Sequence, residues 1–91
     1  MKVRWSPEAA VDFTALVEYI RKENSSAADR VAHSIYDCIT SLTSSPNRGR
    51  LGRVKSTREL VLPPFPFIAV YRVTKTFVEI ARLLHGSQRW P

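Results

Sequence analysis

The chain has 91 residues, of which 44% are hydrophobic, and a formal net charge of +6. That length suffices for one hydrophobic core, so the sequence predicts a single domain over residues 1–91. The single cysteine and two isolated histidines exclude an internal disulfide framework and give no metal site, so no metal or other cofactor is expected. Since no apolar run has the length of a signal peptide or a membrane span, we expect a soluble, cytoplasmic protein without a membrane partner.

The first part of the chain predicts a short strand followed by a helix. Residues 2–5 alternate polar and apolar side chains, as a strand does, and Ser6-Pro7 ends the alternation. Because Ser6 is a good N-cap and Pro7 fits the first helical position, a helix is predicted to begin at Pro7. Its apolar stripe comprises Ala9, Phe13, Leu16, Val17 and Ile20.

A second helix is predicted over residues 27–44, after a polar break at residues 24–26. Ser25 or Ser26 would cap it, and Pro46 follows its end. Its apolar stripe comprises Ala28, Val31, Ala32, Ile35, Ile39 and Leu42. Two amphipathic helices joined by a short polar loop form an antiparallel hairpin, and such a hairpin needs an apolar surface to cover.

Three strand-like segments provide that surface. They span residues 57–62, 67–73 and 77–85, and the gaps hold prolines or Thr74-Lys75-Thr76, which predicts an antiparallel meander. The fold class is therefore α+β in the order β-α-α-β-β-β, a helical hairpin packed on a mostly antiparallel sheet. If the first two strands are neighbours they should run in opposite directions, which would give a wholly antiparallel four-stranded sheet. Both sheet faces carry apolar residues, so the covered face stays open.

The charge is concentrated in the second half of the chain. Residues 1–45 hold five basic and six acidic residues, a net of −1, whereas residues 46–91 hold nine basic and two acidic residues, a net of +7. This asymmetry favours an anionic partner on the sheet side, either nucleic acid or an acidic protein. Ordinary solvated surface charge is the alternative.

A basic loop leads into the meander. Residues 48–55 contain Arg48, Arg50, Arg53 and Lys55 together with Gly49 and Gly52. The loop lacks the spacing of a nucleotide-binding loop, so its glycines are expected to adopt positive φ in a tight approach to the sheet, with the arginines projecting outward. Any nucleic-acid contact made here would be with the phosphate backbone.

The expected strand register suggests an anion site. With turns centred near residues 64–65 and 75, Arg58 would lie opposite Arg72, while Glu59, Tyr71 and Glu79 would align on the other face. Two adjacent arginines repel each other unless an anion lies between them, which predicts a phosphate or carboxylate site. Alternatively, Glu59 or Glu79 reaches round a strand edge and neutralises the pair.

Three runs of sequence, behind the helical hairpin and Trp5-Ser6, resemble a known family. They are residues 49–61, residues 68–73 and residues 78–91. In this order and spacing the chain resembles the RelE/ParE superfamily of bacterial toxins from toxin–antitoxin systems, also called plasmid stabilisation proteins. The resemblance implies a cognate antitoxin, which would lay an amphipathic helix or extended segment on the helical hairpin or the sheet edge.

The resemblance implies two different activities. RelE-like members cut mRNA on the ribosome without a metal, and ParE-like members poison DNA gyrase. Ribonucleases of the family usually carry arginine two residues before the Val-Tyr pair of the middle strand, where this chain has Ile68. That difference and the ending Arg82-Leu83-Leu84-His85 favour a non-enzymatic gyrase inhibitor. A ribosome-dependent endoribonuclease and a non-toxic nucleic-acid-binding module remain alternatives.

The candidate site residues follow from these hypotheses. A ribonuclease would use His85 as its acid or base; otherwise His85 bonds to backbone at the strand end or packs beside Trp90. The expected target-binding residues are Arg50, Arg53, Arg58, Arg72, Arg82, Gln88, Arg89 and Trp90. We expect Trp90 to pack back on the domain and to hold Gln88 and Arg89 beside Arg82 and His85; alternatively it only closes the core.

Overall fold

A computed structural model describes residues 1–62 and 67–86. The elements are β1 (Lys2–Trp5), α1 (Pro7–Glu23), α2 (Ser25–Thr40), a 3₁₀ turn (Ser41–Thr43), β2 (Arg50–Leu51), β3 (Arg58–Leu62), β4 (Phe67–Val73) and β5 (Phe77–His85). The predicted α+β class and the order of the predicted elements are confirmed. The two-residue strand β2 lies inside the predicted basic loop. No helix of the described residues is long and apolar enough to cross a membrane.

The start of α1 is as predicted, but the start of α2 is not. The Ser6 side chain accepts a hydrogen bond from the Ala9 backbone N–H at 3.0 Å, and Pro7 is the first helical residue. For α2, neither predicted serine is the cap. Asn24 ends α1 through a backbone N–H to the Ile20 carbonyl and begins α2 by accepting from the Ala27 N–H at 3.2 Å. One residue thus closes one helix and caps the next, so α2 begins two residues early.

The five strands form one sheet in the order β1-β5-β4-β3-β2. Strand β1 runs parallel to β5, and every other neighbouring pair is antiparallel. The expectation of a wholly antiparallel four-stranded sheet is therefore wrong. The chain reverses direction once more between α2 and β3, where the basic loop contains β2. Strands β1 and β3 therefore run in the same direction. Strand β1 lies at the edge of the sheet opposite to β2.

The register differs from the expected one by a single residue. Leu62 pairs with Phe67 and Val73 with Val78, so Arg58 lies opposite Tyr71 and Arg72 lies opposite Glu79. A shift of one residue moves a side chain to the other face of a sheet, which places Arg58 and Arg72 on opposite faces. The predicted anion site between these arginines and the predicted alignment of Glu59, Tyr71 and Glu79 are both wrong.

The helices cover the face of the sheet that carries Tyr71. Tyr71 and Ile80 are completely buried there beneath α1 and α2, whose predicted apolar stripes supply the other side of the core. The sheet's contribution to this core comprises Leu60, Leu62, Phe67, Ala69, Tyr71, Val78, Ile80 and Leu83. The opposite side, here called the outer face, carries Glu59, Ile68, Val70, Arg72, Glu79 and Leu84.

Candidate interaction surface

The basic loop, with residues 46 and 47 that lead into it, is attached to the sheet by the Tyr71 hydroxyl. That hydroxyl donates to the Pro46 carbonyl at 2.8 Å and accepts from the Gly49 backbone N–H at 2.8 Å. Tyr71 has no exposed surface, and Gly49 is buried as well. A core side chain therefore holds two points of the loop backbone in a place where water cannot substitute for it.

Arg58 fixes the same loop from β3. Its guanidinium donates to the carbonyl of Asn47 at 3.3 Å and to the carbonyl of Gly49 at 2.8 Å. Bonds from a charged donor to backbone carbonyls are stronger than those between neutral groups. Arg58, a predicted target-binding residue, thus uses N–H donors of its guanidinium to hold the backbone of the loop.

Glu59 provides the third attachment. One carboxylate oxygen accepts from Nε and a terminal nitrogen of Arg50 at 3.3 and 3.0 Å, and the other accepts from the Arg53 backbone N–H at 3.2 Å. The Glu59 side chain is 18% exposed, whereas that of Arg50 is 63% exposed. The carboxylate therefore sits inside the loop and the guanidinium it holds faces solvent.

Gly49 and Gly52 allow the loop backbone to approach its neighbours closely. The expectation that they adopt positive φ is wrong for both. A Cβ on Gly49 would lie 2.8 Å from Tyr71 Cε1, and one on Gly52 would collide with Thr57 Oγ1. The left-handed backbone conformation falls on Ser56, at φ 68°. The loop needs glycine because it packs tightly against the sheet.

The side chains that the loop presents to solvent are basic, with one exception. Arg48, Arg50 and Arg53 are exposed, as predicted for the arginines, and so is Lys55. Leu51 among them is 78% exposed. Within residues 1–62 and 67–86, neither the Arg53 guanidinium nor the Lys55 ammonium contacts a carboxylate. Nothing in the sequence distinguishes Leu51, because a single leucine in a loop carries no periodic signal.

One pocket on the outer face brings together three of the predicted site residues, Arg50, Arg53 and His85. Its other lining residues are Glu59, Ile68, Val70, Leu84 and Gly86. The His85 ring also meets the edge of the Phe67 ring at right angles, with centroids 5.7 Å apart. The pocket thus combines two guanidinium groups, a carboxylate and an imidazole with aliphatic side chains.

Two other predicted residues hold the fold together. Arg82 Nε and a terminal nitrogen donate to the two oxygens of Asp12 at 2.6 and 3.0 Å, and Asp12 also accepts from the Leu83 backbone N–H at 2.9 Å. The hydrogen bond with Asp12 raises the pKa of Arg82 above its ordinary value. Arg72 lies 3.7 Å from Glu79, directly across the ladder. These arginines are neutralised by carboxylates of the chain itself.

The expected packing of the C-terminal segment involves Gln88, Arg89 and Trp90. These three residues lie outside the described residues. Among the described residues, no group of three or more histidine, cysteine, aspartate or glutamate side chains could hold a metal ion. The predicted site residues are therefore divided between the basic loop, the outer-face pocket and two ion pairs in the sheet.

The chain matches over residues 3–90 the family described as the ParE toxin of type II toxin-antitoxin system, parDE. It therefore belongs to this family of type II toxin–antitoxin toxins.

Relatives and a solved structure agree with this assignment. Toxin Y4kP of Sinorhizobium fredii is 40% identical, over 99% of this chain and 93% of the relative. Toxin RelE2 of Caulobacter vibrioides is 36% identical, over 96% and 97%. The structure of a chromosomal ParDE system from P. aeruginosa is similar with a TM-score of 0.85 and 25% identity, over 93% of this chain and 95% of that one.

Proposed function

We propose that this toxin arrests bacterial growth by binding DNA gyrase, without catalysing a reaction, and that a cognate antitoxin neutralises it. The observation that carries the proposal is the set of ion pairs and hydrogen bonds that the arginines form within the chain. Arg50, Arg72 and Arg82 are paired with carboxylates, and Arg58 donates to backbone carbonyls. A site that cleaves RNA must offer cations to the phosphate whose charge develops in the transition state. Of the predicted target-binding arginines within residues 1–62 and 67–86, Arg53 alone has a guanidinium without such a partner.

The outer face supports the same proposal. Ile68 occupies the position at which the family's ribonucleases usually carry arginine, and its neighbours Val70 and Leu84 are aliphatic and buried. None of these side chains can hold a phosphate or stabilise an oxyanion.

The antitoxin is expected to use the helical hairpin. Tyr19 on α1 is 61% exposed and Tyr36 on α2 is 51% exposed. An amphipathic antitoxin helix could cover such amphipathic aromatic side chains while its acidic residues face the cationic half of the toxin.

An mRNA endoribonuclease is the second candidate, because Arg53 and His85 border one pocket. In that mechanism His85 would transfer the proton of a ribose 2′-OH attacking the adjacent phosphate, and Arg53 would bind the phosphate. Both activities act on cytoplasmic targets.

Expression of the chain without its antitoxin should arrest bacterial growth, and two assays then distinguish the candidates. A supercoiling assay with purified gyrase should show inhibition and accumulated cleavage complexes. Transcript mapping in the arrested cells should show no new codon-phased mRNA ends. New mRNA ends with unimpaired gyrase would replace the proposal by the ribonuclease, and normal growth at verified soluble expression would contradict both.

A further inference from the structure

We propose that the pocket on the outer face, which Arg50, Arg53 and His85 line, is the place where gyrase docks, and that it receives one carboxylate side chain of gyrase. This inference rests on the proposed function, in which gyrase is the target. It adds the place on the toxin and the chemistry of the group that the target inserts.

The first argument is the size of the pocket. Its cavity has a volume of about 80 Å³. Sites that enclose whole small molecules have volumes of about 300–1,000 Å³. The pocket is therefore too small to enclose a nucleotide with its base and ribose, and it is sized for the single functional group at the end of a side chain.

The second argument is the charge of the lining. The guanidinium groups of Arg50 and Arg53 and the carboxylate of Glu59 sum to a net charge of +1, before any contribution of His85. Glu59 binds the Arg50 guanidinium, whereas no carboxylate within residues 1–62 and 67–86 contacts the Arg53 guanidinium. A single incoming anion can therefore pair with Arg53 without displacing a carboxylate of this part of the chain.

The third argument is that this part of the pocket is ordered before binding. One oxygen of Glu59 accepts from the Arg50 guanidinium, and the other accepts from the Arg53 backbone N–H. The Tyr71 hydroxyl holds the same loop at Gly49. Groups that are already fixed lose less conformational entropy when a partner binds. The Arg50 guanidinium and the backbone that carries Arg53 are thus positioned in advance.

The aliphatic lining favours a carboxylate side chain over an RNA phosphate. Val70 and Leu84 are 1% and 6% exposed, and Ile68 lies opposite Leu84 in the sheet. An aspartate or glutamate side chain carries its charge on methylene groups, which are stabilised by contact with aliphatic side chains. A phosphodiester carries its charge among four oxygens, and RNA repeats that charge at every nucleotide. The pocket, with a single unpaired guanidinium in the described chain, matches the single charge of a protein carboxylate.

The test compares two pocket variants with two controls of equal charge change. Arg53→Gln removes the guanidinium that the carboxylate would bind, and Ile68→Glu places a carboxylate of the chain itself in the pocket. Lys55→Gln removes an exposed cation of the same loop that does not line the pocket. Val11→Glu adds a carboxylate at a 68%-exposed position on α1.

The dissociation constant of each purified variant for purified gyrase is measured by biolayer interferometry, after urea unfolding has shown that the variant is folded. We expect each pocket variant to bind about tenfold more weakly than wild type, because a charge pair joined by hydrogen bonds is lost. Each control should stay within about twofold of wild type, because exposed charges outside a contact contribute little. If Ile68→Glu does not fold, the comparison of Arg53→Gln with Lys55→Gln decides the test.

The outcomes separate this inference from the proposed function. If the wild-type toxin binds gyrase and a folded pocket variant binds within about twofold of it, the pocket is not the docking site and the proposed function stands. If the wild-type toxin does not bind gyrase, both are wrong. If each control loses as much affinity as its matched pocket variant, the contact depends on net charge alone and the inference is wrong. If the pocket variants weaken binding of a single-stranded RNA and leave gyrase binding unchanged, the pocket binds phosphate and the inference is overturned.

Discussion

The hydroxyl of Tyr71 lies 2.8 Å from the backbone nitrogen of Gly49 and joins the buried centre of the sheet to the basic loop. The same oxygen donates to the Pro46 carbonyl, so both hydrogen-bonding functions of the phenol are used. The conformation of the basic loop thus depends on a residue in the buried core.

Tyr71→Phe keeps the ring and removes this link. Because the buried N–H of Gly49 then lacks its acceptor, we expect the free energy of unfolding to fall by about 2 kcal/mol. The Gly49 amide should also exchange its hydrogen faster than the amides of the helices. Urea unfolding and hydrogen exchange followed by NMR measure the two effects. Tyr36→Phe, at a 51%-exposed position on α2, is the control and should change neither quantity. Equal stability of Tyr71→Phe and wild type would contradict the role of the hydroxyl.

The corrected cap of α2 gives a second prediction. The Asn24 side chain accepts from the Ala27 backbone N–H at 3.2 Å and from the Ser26 hydroxyl at 2.8 Å. Asn24→Ala should lower the free energy of unfolding by about 1 kcal/mol, as the loss of an N-cap does. Ser25→Ala, which changes a residue predicted as the cap, should have less than half that effect. Urea unfolding of both variants compares them directly, and a larger loss in Ser25→Ala would restore the original assignment.

These caps show how far the sequence determines the fold. Hydrophobic periodicity predicted both helices, most of their apolar stripes and every strand except β2, because burial repeats along the sequence at fixed intervals. The choice among Asn24, Ser25 and Ser26 could not be made in this way. All three residue types can cap a helix. Asn24 is the cap of α2 because α1 ends there, where the Asn24 backbone N–H donates to the Ile20 carbonyl. Strand register was beyond prediction for a similar reason, since a shift of one residue is undetectable when both faces are apolar.

The roles of the arginines were even less accessible from sequence. No pattern in the sequence links Asp12 to Arg82, which lies 70 residues away, yet the two side chains form hydrogen bonds. Likewise, Arg50 forms its ion pair with Glu59 because the two-residue strand β2 places them opposite each other, and no sequence pattern predicts that strand. A net charge can be counted from a sequence. Which cations remain available to a partner is decided by tertiary contacts.

The Asp12 interaction can be tested by stability. Asp12→Asn keeps the size of the side chain and removes the charge that holds Arg82 and the Leu83 N–H. Since Asp12 is only 16% exposed, we expect the free energy of unfolding to fall by about 2 kcal/mol. Asp29→Asn is the matched control, because Asp29 is 80% exposed and lies 3.5 Å from Arg21. That exposed pair should contribute less than about 0.5 kcal/mol. Comparable losses in the two variants, measured by urea unfolding, would mean that the Asp12 pair is no more important than a surface pair.

The last prediction separates order of the basic loop from stability of the domain. Glu59→Gln weakens the attachments of Arg50 and of the Arg53 backbone while leaving the core unchanged. Because the Arg50 side chain is 63% exposed, the free energy of unfolding should change by less than about 1 kcal/mol. The Arg53 amide should nevertheless exchange faster, and inhibition of gyrase should require more toxin, since the loop must be ordered on binding.

Glu79→Gln is the matched control for this prediction. It removes a carboxylate that lies 3.7 Å from Arg72 on the same sheet, outside the basic loop. We expect it to leave Arg53 exchange and gyrase inhibition at wild-type levels. If Glu59→Gln accelerates Arg53 exchange while inhibition stays unchanged, the order of the loop does not contribute to target binding. If both glutamine variants impair inhibition equally, the effect comes from net charge instead of from the attachment of the loop.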